Sequence, residues 1–161
     1  MGALNEPPRE TEPHAPAGLD TSRLDYLVGY AASRAAIRLK ATFAVHMAPL
    51  DLKIVEFSIL MLVAQNARVN QKQLGHALGI SPPNMAVTLD RMVERGWVER
   101  VRSTEDRRAQ HIHLTAAGSE LVDRAGAIAA TMENHDLRVL SAAERALLIE
   151  LLLKVAGVKR R

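Results

Sequence analysis

From residue 20 onward, stretches in which apolar residues recur every three or four positions alternate with short polar breaks. Leu24, Leu27, Ala31, Ala35, Leu39, Phe43 and Met47 keep the helical period and predict a first helix over about 22–47. Asp20, Thr21 and Ser22 are its candidate N-caps, and Pro49 ends it. Asp51 is expected to cap a second helix over about 52–66, with Ile54, Phe57, Leu60 and Met61 as its apolar stripe. Arg68 and Val69 suggest a very short strand. Asn70-Gln71-Lys72-Gln73 is a capping-box variant that starts a third helix with Leu74, Ala77 and Leu78 on its inner face; Gly79 stops it. Ser81-Pro82 pairs an N-cap with a proline at the first helical position and starts a fourth helix running to about Arg95. Met85, Leu89, Met92 and Val93 are expected on the core side of this fourth helix.

After Gly96 the period changes to two. Trp97, Glu99 and Val101 read as one strand and His111 to Leu114 as its partner, with a charged tip over 103–109 between them. Thr115 caps a fifth helix over about 116–135, and Ser141-Ala142-Ala143-Glu144 is a full capping box for a sixth over about 142–156. The fold class expected is mainly α with a small β wing: a winged helix-turn-helix whose terminal helices form a dimerisation region.

Two short helices joined by a tight turn at Gly79 to Ser81 make a helix-turn-helix, and a stiff second helix fits a DNA major groove about 12 Å wide. With its inner face spoken for, that helix turns Pro83, Asn84, Ala86, Val87, Thr88 and Arg91 outward. An amide at Asn84, in the first turn, suits adenine N6 and N7, while Pro83, Ala86 and Val87 suit thymine methyls. Thr88 and Arg91 suit base or phosphate, and Gln71 and Lys72 open the preceding helix as further DNA contacts. In the charged tip, Arg107 and Arg108 suit the negative potential of a minor groove, with Asp106 placed to orient Arg108. Taken singly, each of these is also what a solvated helix face or turn looks like; their succession favours DNA.

Composition sharpens this picture. The net charge is only +3, but residues 1–18 carry Glu6, Glu10 and Glu12 against Arg9, and six of sixteen arginines fall between Arg91 and Arg108. A local basic patch of that kind suits a polyanion. The aromatic fraction of 3% disfavours stacking of single-stranded bases. The absence of cysteine excludes disulfides, thiol redox sensing and cysteine-ligated metals. No nucleophile elbow, phosphate-binding glycine loop or His-Glu-x-x-His motif occurs, so no enzyme activity and no cofactor are expected. His111 and His113 share a strand face but lack a visible third ligand. The apolar run Ile54 to Ala64 is too short to cross a bilayer, and the N-terminus lacks a signal-peptide layout, so a cytoplasmic protein without membrane association is expected.

From Leu89 to Gly118 the chain reads LDRMVERGWVERVRSTEDRRAQHIHLTAAG. This resembles the MarR family of bacterial regulators: the close of the recognition helix at Met92 to Gly96, the Asp-x-Arg wing at Asp106 to Arg108, and the Leu-Thr-x-x-Gly helix start at Leu114 to Gly118. The likeness extends over about 22–157. It implies a dimeric winged-helix repressor, less often an activator, on pseudo-palindromic double-stranded operators, with Asp106 and Arg108 as the wing pair and Asn84, Ala86 and Val87 at base-reading positions. Two departures stand out. Val87 replaces a frequent arginine, and Ser103-Thr104 replaces the usual Asp-Pro ahead of the wing.

A sixth helix apolar on nearly all sides, from Ala146 through Ala156, needs cover on nearly all sides. The same resemblance implies a homodimer built by the terminal helices; the alternative is a monomeric bundle beside the winged helix. The length suits one compact domain, organised as a disordered arm over 1–19, a dimerisation region over 20–49 and 117–157, a DNA-binding region over 50–116, and a basic tail over 158–161. Many relatives release DNA on binding a small aromatic or phenolic compound, so the expected effector here is a small aromatic acid, a phenolic compound or an aromatic CoA thioester. Arg34 and Arg38, one turn apart, are candidates to hold a carboxylate or CoA phosphates, with Phe43, His46 and Met47 lining an adjacent pocket. The competing function is a winged helix used only to bind other proteins.

Overall fold

The computed structural model describes residues 19–102 and 110–158. The elements are α1 (Val28–Met47), a 3-10 turn (Ala48–Leu50), α2 (Ile54–Gln65), α3 (Gln71–Leu78), α4 (Pro82–Glu94), β1 (Val98–Arg102), β2 (Gln110–Leu114), α5 (Ala116–Ala129) and α6 (Ala142–Val155). The strands pair antiparallel, with Val98 opposite Leu114 and Arg102 opposite Gln110. Val69 adds the short bridge expected there by pairing with Ile112, whose N–H donates to the Val69 carbonyl at 2.8 Å. The fold is thus mainly helical with a two-stranded wing.

The chain divides into two compact units, Met1–Ala36 and Ile37–Arg161. In the first, the apolar side chains of Leu19, Leu24, Tyr26, Leu27 and Val28 are exposed. The first helix starts later than its period implies, because the chain turns at 22–26 before α1. The Asp20 carboxylate takes the Ser22 N–H at 2.9 Å and so closes a turn instead of capping α1.

In the second unit the core joins Met47 to Ile59, Leu60 and Val63 of α2, Leu74 of α3, Met85, Leu89 and Met92 of α4, the sheet residues Val98 and Ile112, and Leu121 and Ala125 of α5. Close packing of such branched and thioether side chains sets the angles between these helices. The local signals that set element ends are mostly the expected ones. Asn70 and Gln73 form a reciprocal capping box, as do Ser141 and Glu144. Thr115 accepts the Gly118 N–H at 3.0 Å. Gly79 closes α3 with a left-handed φ of 63°, which glycine adopts without steric cost. Gly118 answers to space: a β-carbon there would sit 1.9 Å from the Trp97 carbonyl oxygen, so the first turn of α5 lies directly on the chain leading into β1.

Other details depart from the sequence reading. Asp51 does not cap α2; it adopts a left-handed φ of 46° at the end of the 3-10 turn, and Lys53 is the N-cap. The buried side of α2 runs through Glu56, Ile59, Leu60 and Val63, leaving Ile54 exposed. Ala77 and Val93 also face solvent, because the sheet and α2 cover only a narrow stripe of α3 and α4. The fifth helix stops at Ala129 and continues as turns to Leu140. No described helix is long and apolar enough to cross a membrane.

Candidate nucleic-acid interface

α3 and α4 meet at a tight turn in which the Ile80 N–H donates to the Gly75 carbonyl at 2.9 Å. Gly75 is buried, and a β-carbon on it would stand 3.1 Å from the Ile80 carbonyl oxygen, so the two helices approach closely. An open groove of about 800 Å³ runs along this junction, lined by Gln71, Lys72, His76, Ile80, Ser81 and Pro82 among others. Gln71 and Lys72 occupy the first turn of α3, where leading backbone N–H groups have no intrahelical acceptor. The start of α4 differs in kind. Pro82 and Pro83 carry no N–H, and Ser81 sits at the N-cap without a side-chain capping bond. The donors available to a polyanion therefore lie at α3, whereas α4 offers side chains.

α4 has two distinct sides. Met85, Leu89 and Met92 are fully buried and fix which way the helix is rotated. On the other side Pro83, Asn84 and Val87 are exposed, Val87 by 64%, with Ala86 and Thr88 half-buried at the edges. The Thr88 hydroxyl donates to the Asn84 carbonyl at 2.8 Å, which leaves its oxygen as an acceptor facing out.

Arg91 is not the free outward side chain expected. Its Nε and an Nη both donate to Glu56 Oε1 at 2.9 Å. Glu56 is the one buried charged residue among the described residues, and its second oxygen accepts the Lys53 N–H at 2.9 Å. Its charge sits at the N-terminus of α2, where the helix dipole favours an anion. In the sequence Glu56 merely interrupts the apolar run Ile54 to Ala64; its pairing with a residue 35 positions away leaves no local signal. One turn further along α4, Arg95 donates to the Asp51 carbonyl at 2.9 Å and to its carboxylate at 3.0 Å, and stacks 3.7 Å over the Trp97 ring. Arg100 on β1 pairs with Asp90 at 2.6 Å. The wing residues Asp106, Arg107 and Arg108 lie outside the described residues.

The residues singled out for a small ligand are not brought together as expected. Phe43 and Met47 are core residues, Phe43 packing edge-on against Phe57 at 5.4 Å. His46 is exposed, with Nδ1 2.9 Å from the Thr42 carbonyl. Arg38 is committed to Asp136 at 2.9 Å, and the Thr42 hydroxyl also donates to that carboxylate. Those bonds, the hydroxyl's first and the guanidinium's second, hold the Asp136 carboxyl below its ordinary range. Arg34 is exposed. A different cleft, of about 340 Å³, opens beside the 3-10 turn between Lys40, Phe43, Ala44, Leu52, Lys53 and Ile54. Its floor is apolar and two lysines border it. His111 and His113 stand edge to face, 6.5 Å apart, and no cluster of three potential metal ligands occurs among the described residues.

Comparison with known proteins agrees with this geometry. A profile of the MarR family matches residues 52–109. The structure of a transcriptional repressor, CouR, bound to a 23-mer DNA duplex is 34% identical, with a TM-score of 0.81, covering 87% of this chain and 99% of that one. CouR bound to p-coumaroyl-CoA is 32% identical, with a TM-score of 0.77, covering 86% of this chain and 98% of that one. The HTH-type transcriptional regulator YpoP of Bacillus subtilis is 33% identical over 67 residues, which is 42% of this chain and about half (48%) of that protein.

Proposed function

The chain belongs to the MarR family of winged helix-turn-helix, DNA-binding transcriptional regulators, a family without enzymatic activity, and from that premise we propose that two copies act as a repressor on a pseudo-palindromic double-stranded operator. The observation that carries the proposal is the outer face of α4. A helix whose inner face is buried through Met85, Leu89 and Met92 exposes Pro83, Asn84 and Val87 together. Apolar groups beside one amide suit thymine methyls beside an adenine edge better than they suit bulk water. Gln71 and Lys72 take phosphates from the first turn of α3, and Asp106, Arg107 and Arg108 serve the adjacent minor groove.

The second copy is supported by α6. None of its residues is buried in the single chain, and Leu147, Leu148, Ile149, Leu151, Leu152 and Val155 are all exposed. A two-fold dimer that covers them sets two recognition helices about 34 Å apart, one turn of DNA. The effector class that fits this reading is an aromatic acid, a phenolic compound or an aromatic CoA thioester. It is supported by the similarity to a p-coumaroyl-CoA-bound repressor and by the lysine-bordered apolar cleft at Phe43.

The test is selection of duplexes from a random pool by the full-length protein. The expected product is an enriched pseudo-palindrome, bound with a steep salt dependence of about 0.9 log units of affinity per phosphate contacted. Failure to enrich any duplex at low salt overturns the proposal in favour of a protein-binding winged helix. Thermal-shift assays with aromatic acids and their CoA thioesters test the effector class, and stabilisation by none of them removes it.

A further inference from the structure

Arg91 of α4 and Arg95 at its C-cap reach the same short segment. Arg91 and Arg95 are four residues apart and therefore lie on one side of the helix, one turn from each other. Arg91 reaches Glu56 and Arg95 reaches Asp51, so both are anchored within residues 51–56, the connection between the 3-10 turn and the first turn of α2. The two links differ in burial: Glu56 is buried, whereas the Asp51 carboxylate is exposed. The Glu56 carboxylate is buried and uses one oxygen on Arg91 and the other on the Lys53 N–H. Arg95 is gripped by a backbone carbonyl, a carboxylate and the face of Trp97.

We infer that Arg91 and Arg95 are positioning residues, which fix the recognition helix lengthwise against segment 51–56 so that Asn84 and Val87 meet base edges in register. The inference rests on the operator-binding reading above and assigns Arg91 a role other than base or phosphate contact. Core packing alone does not supply this restraint. Met85 and Met92 are unbranched, flexible side chains that adapt to small slides of a helix along its axis. A planar guanidinium donating two N–H groups to one carboxylate is directional and does not adapt in that way. The restraint lies at the C-terminal half of α4, while the base-facing residues lie in its first turns, so any slide released at Arg91 or Arg95 is delivered undiminished to Asn84. The segment that anchors both arginines also supplies Asp51, Leu52, Lys53 and Ile54 to the wall of the 340 Å³ cleft. Whatever fills that cleft thus bears directly on the two anchors.

The experiment is a pair of double-mutant cycles read by DNA affinity, using the selected duplex and a scrambled duplex of equal length. The first cycle uses Glu56→Gln, Arg91→Gln and the double variant. The second uses Asp51→Asn, Arg95→Gln and their double variant; asparagine tolerates the left-handed backbone at Asp51, so this cycle stands if Glu56→Gln fails to fold. Each single variant, checked for folding at the assay temperature, is expected to lose about tenfold affinity for the selected duplex and less than twofold for the scrambled one. The slope of log affinity against log salt is expected to stay as in the parent, and each double variant to bind no worse than its weaker single. Arg91→Lys is expected not to restore binding, since an ammonium cannot make the paired contact. If Arg91→Gln instead flattens the salt slope by about 0.9 and weakens both duplexes alike, Arg91 contacts a phosphate and the inference is overturned. Losses that multiply in both double variants overturn it as well. A parent protein that binds neither duplex defeats the operator-binding proposal itself, which is a separate outcome.

Discussion

α4 and α6 are nearly the same length, 13 and 14 residues, and both are rich in apolar side chains. They are completed in opposite ways. α4 concentrates its large apolar residues on one side, buries Met85, Leu89 and Met92 there, and is tied down at Arg91 and Arg95. α6 spreads its leucines around the whole circumference and buries none of them. A helix with one apolar stripe can be finished by the chain it belongs to. A helix apolar on every side needs more surface than the chain has left. On the proposed reading, the recognition helix is a property of one polypeptide, and the spacing between two such helices is a property of a pair.

The largest expected effect breaks the pair and spares the single chain. Leu147 and Leu151 lie one turn apart on α6, each about half exposed. Two-fold symmetry presents both twice, so four leucine side chains lose cover, and at about 1.5 kcal/mol each the loss is roughly 6 kcal/mol. The variant carrying Leu147→Glu and Leu151→Glu should sediment as a monomer, keep its helical circular dichroism and lose operator binding. A dimer of unchanged mass would show that another face joins the copies.

The reciprocal change sharpens the contrast from the other side. Leu89 is fully buried beneath the recognition helix. Leu89→Ala leaves a cavity in the core and should cost about 2–5 kcal/mol of stability in denaturant unfolding. At temperatures where the variant is folded, its dimer mass should match the parent's. A simultaneous fall in dimer affinity would mean that the two regions are not separable in the way α4 and α6 suggest.

This contrast also explains which features were legible in the sequence. Capping boxes at Asn70 and Ser141, the helix stop at Gly79 and the change of period after Gly96 depend on residues within a few positions of one another, and the structure has them in place. The role of Gly118 in the quoted motif was recognisable as a pattern, but its cause, the carbonyl of Trp97 lying against it, is a packing fact. Arg91 was misjudged for a related reason: on a helical wheel it faces outward, and only the folded chain brings Glu56 beneath it. Phe43 and Met47 were read as pocket lining because aromatic and thioether residues near a helix end suit both roles; Met47 is wholly core, while Phe43 packs against α2 and also lines the cleft beside the 3-10 turn. Asp51 looked like a cap by composition, yet it closes the 3-10 turn two positions ahead of the Lys53 N-cap of α2, where its carboxylate holds Arg95.

The smallest effect concerns how the approach to α6 is secured. Asp136 lies in the turns between α5 and α6 and bonds back to Thr42 and Arg38 on α1. Because those bonds lower its pKa in the folded chain, the ionised form is the one that stabilises the fold. The contribution is complete at neutral pH and disappears as pH falls below the ordinary carboxylate value of 3.8 and through the lowered folded one. Asp136→Asn should therefore melt slightly below the parent at pH 7, and the two melting curves should converge in strong acid. The Arg38 side chain is largely exposed, so added salt should shrink the gap at pH 7. A gap that persists unchanged in acid would assign the stabilisation to the hydrogen-bond pattern of the carboxyl group and not to its charge. In that case the turns before α6 are held by neutral hydrogen bonds, unlike α4 with its ion-paired Arg91, and the two regions differ in how they are tied as well as in their uncovered leucines.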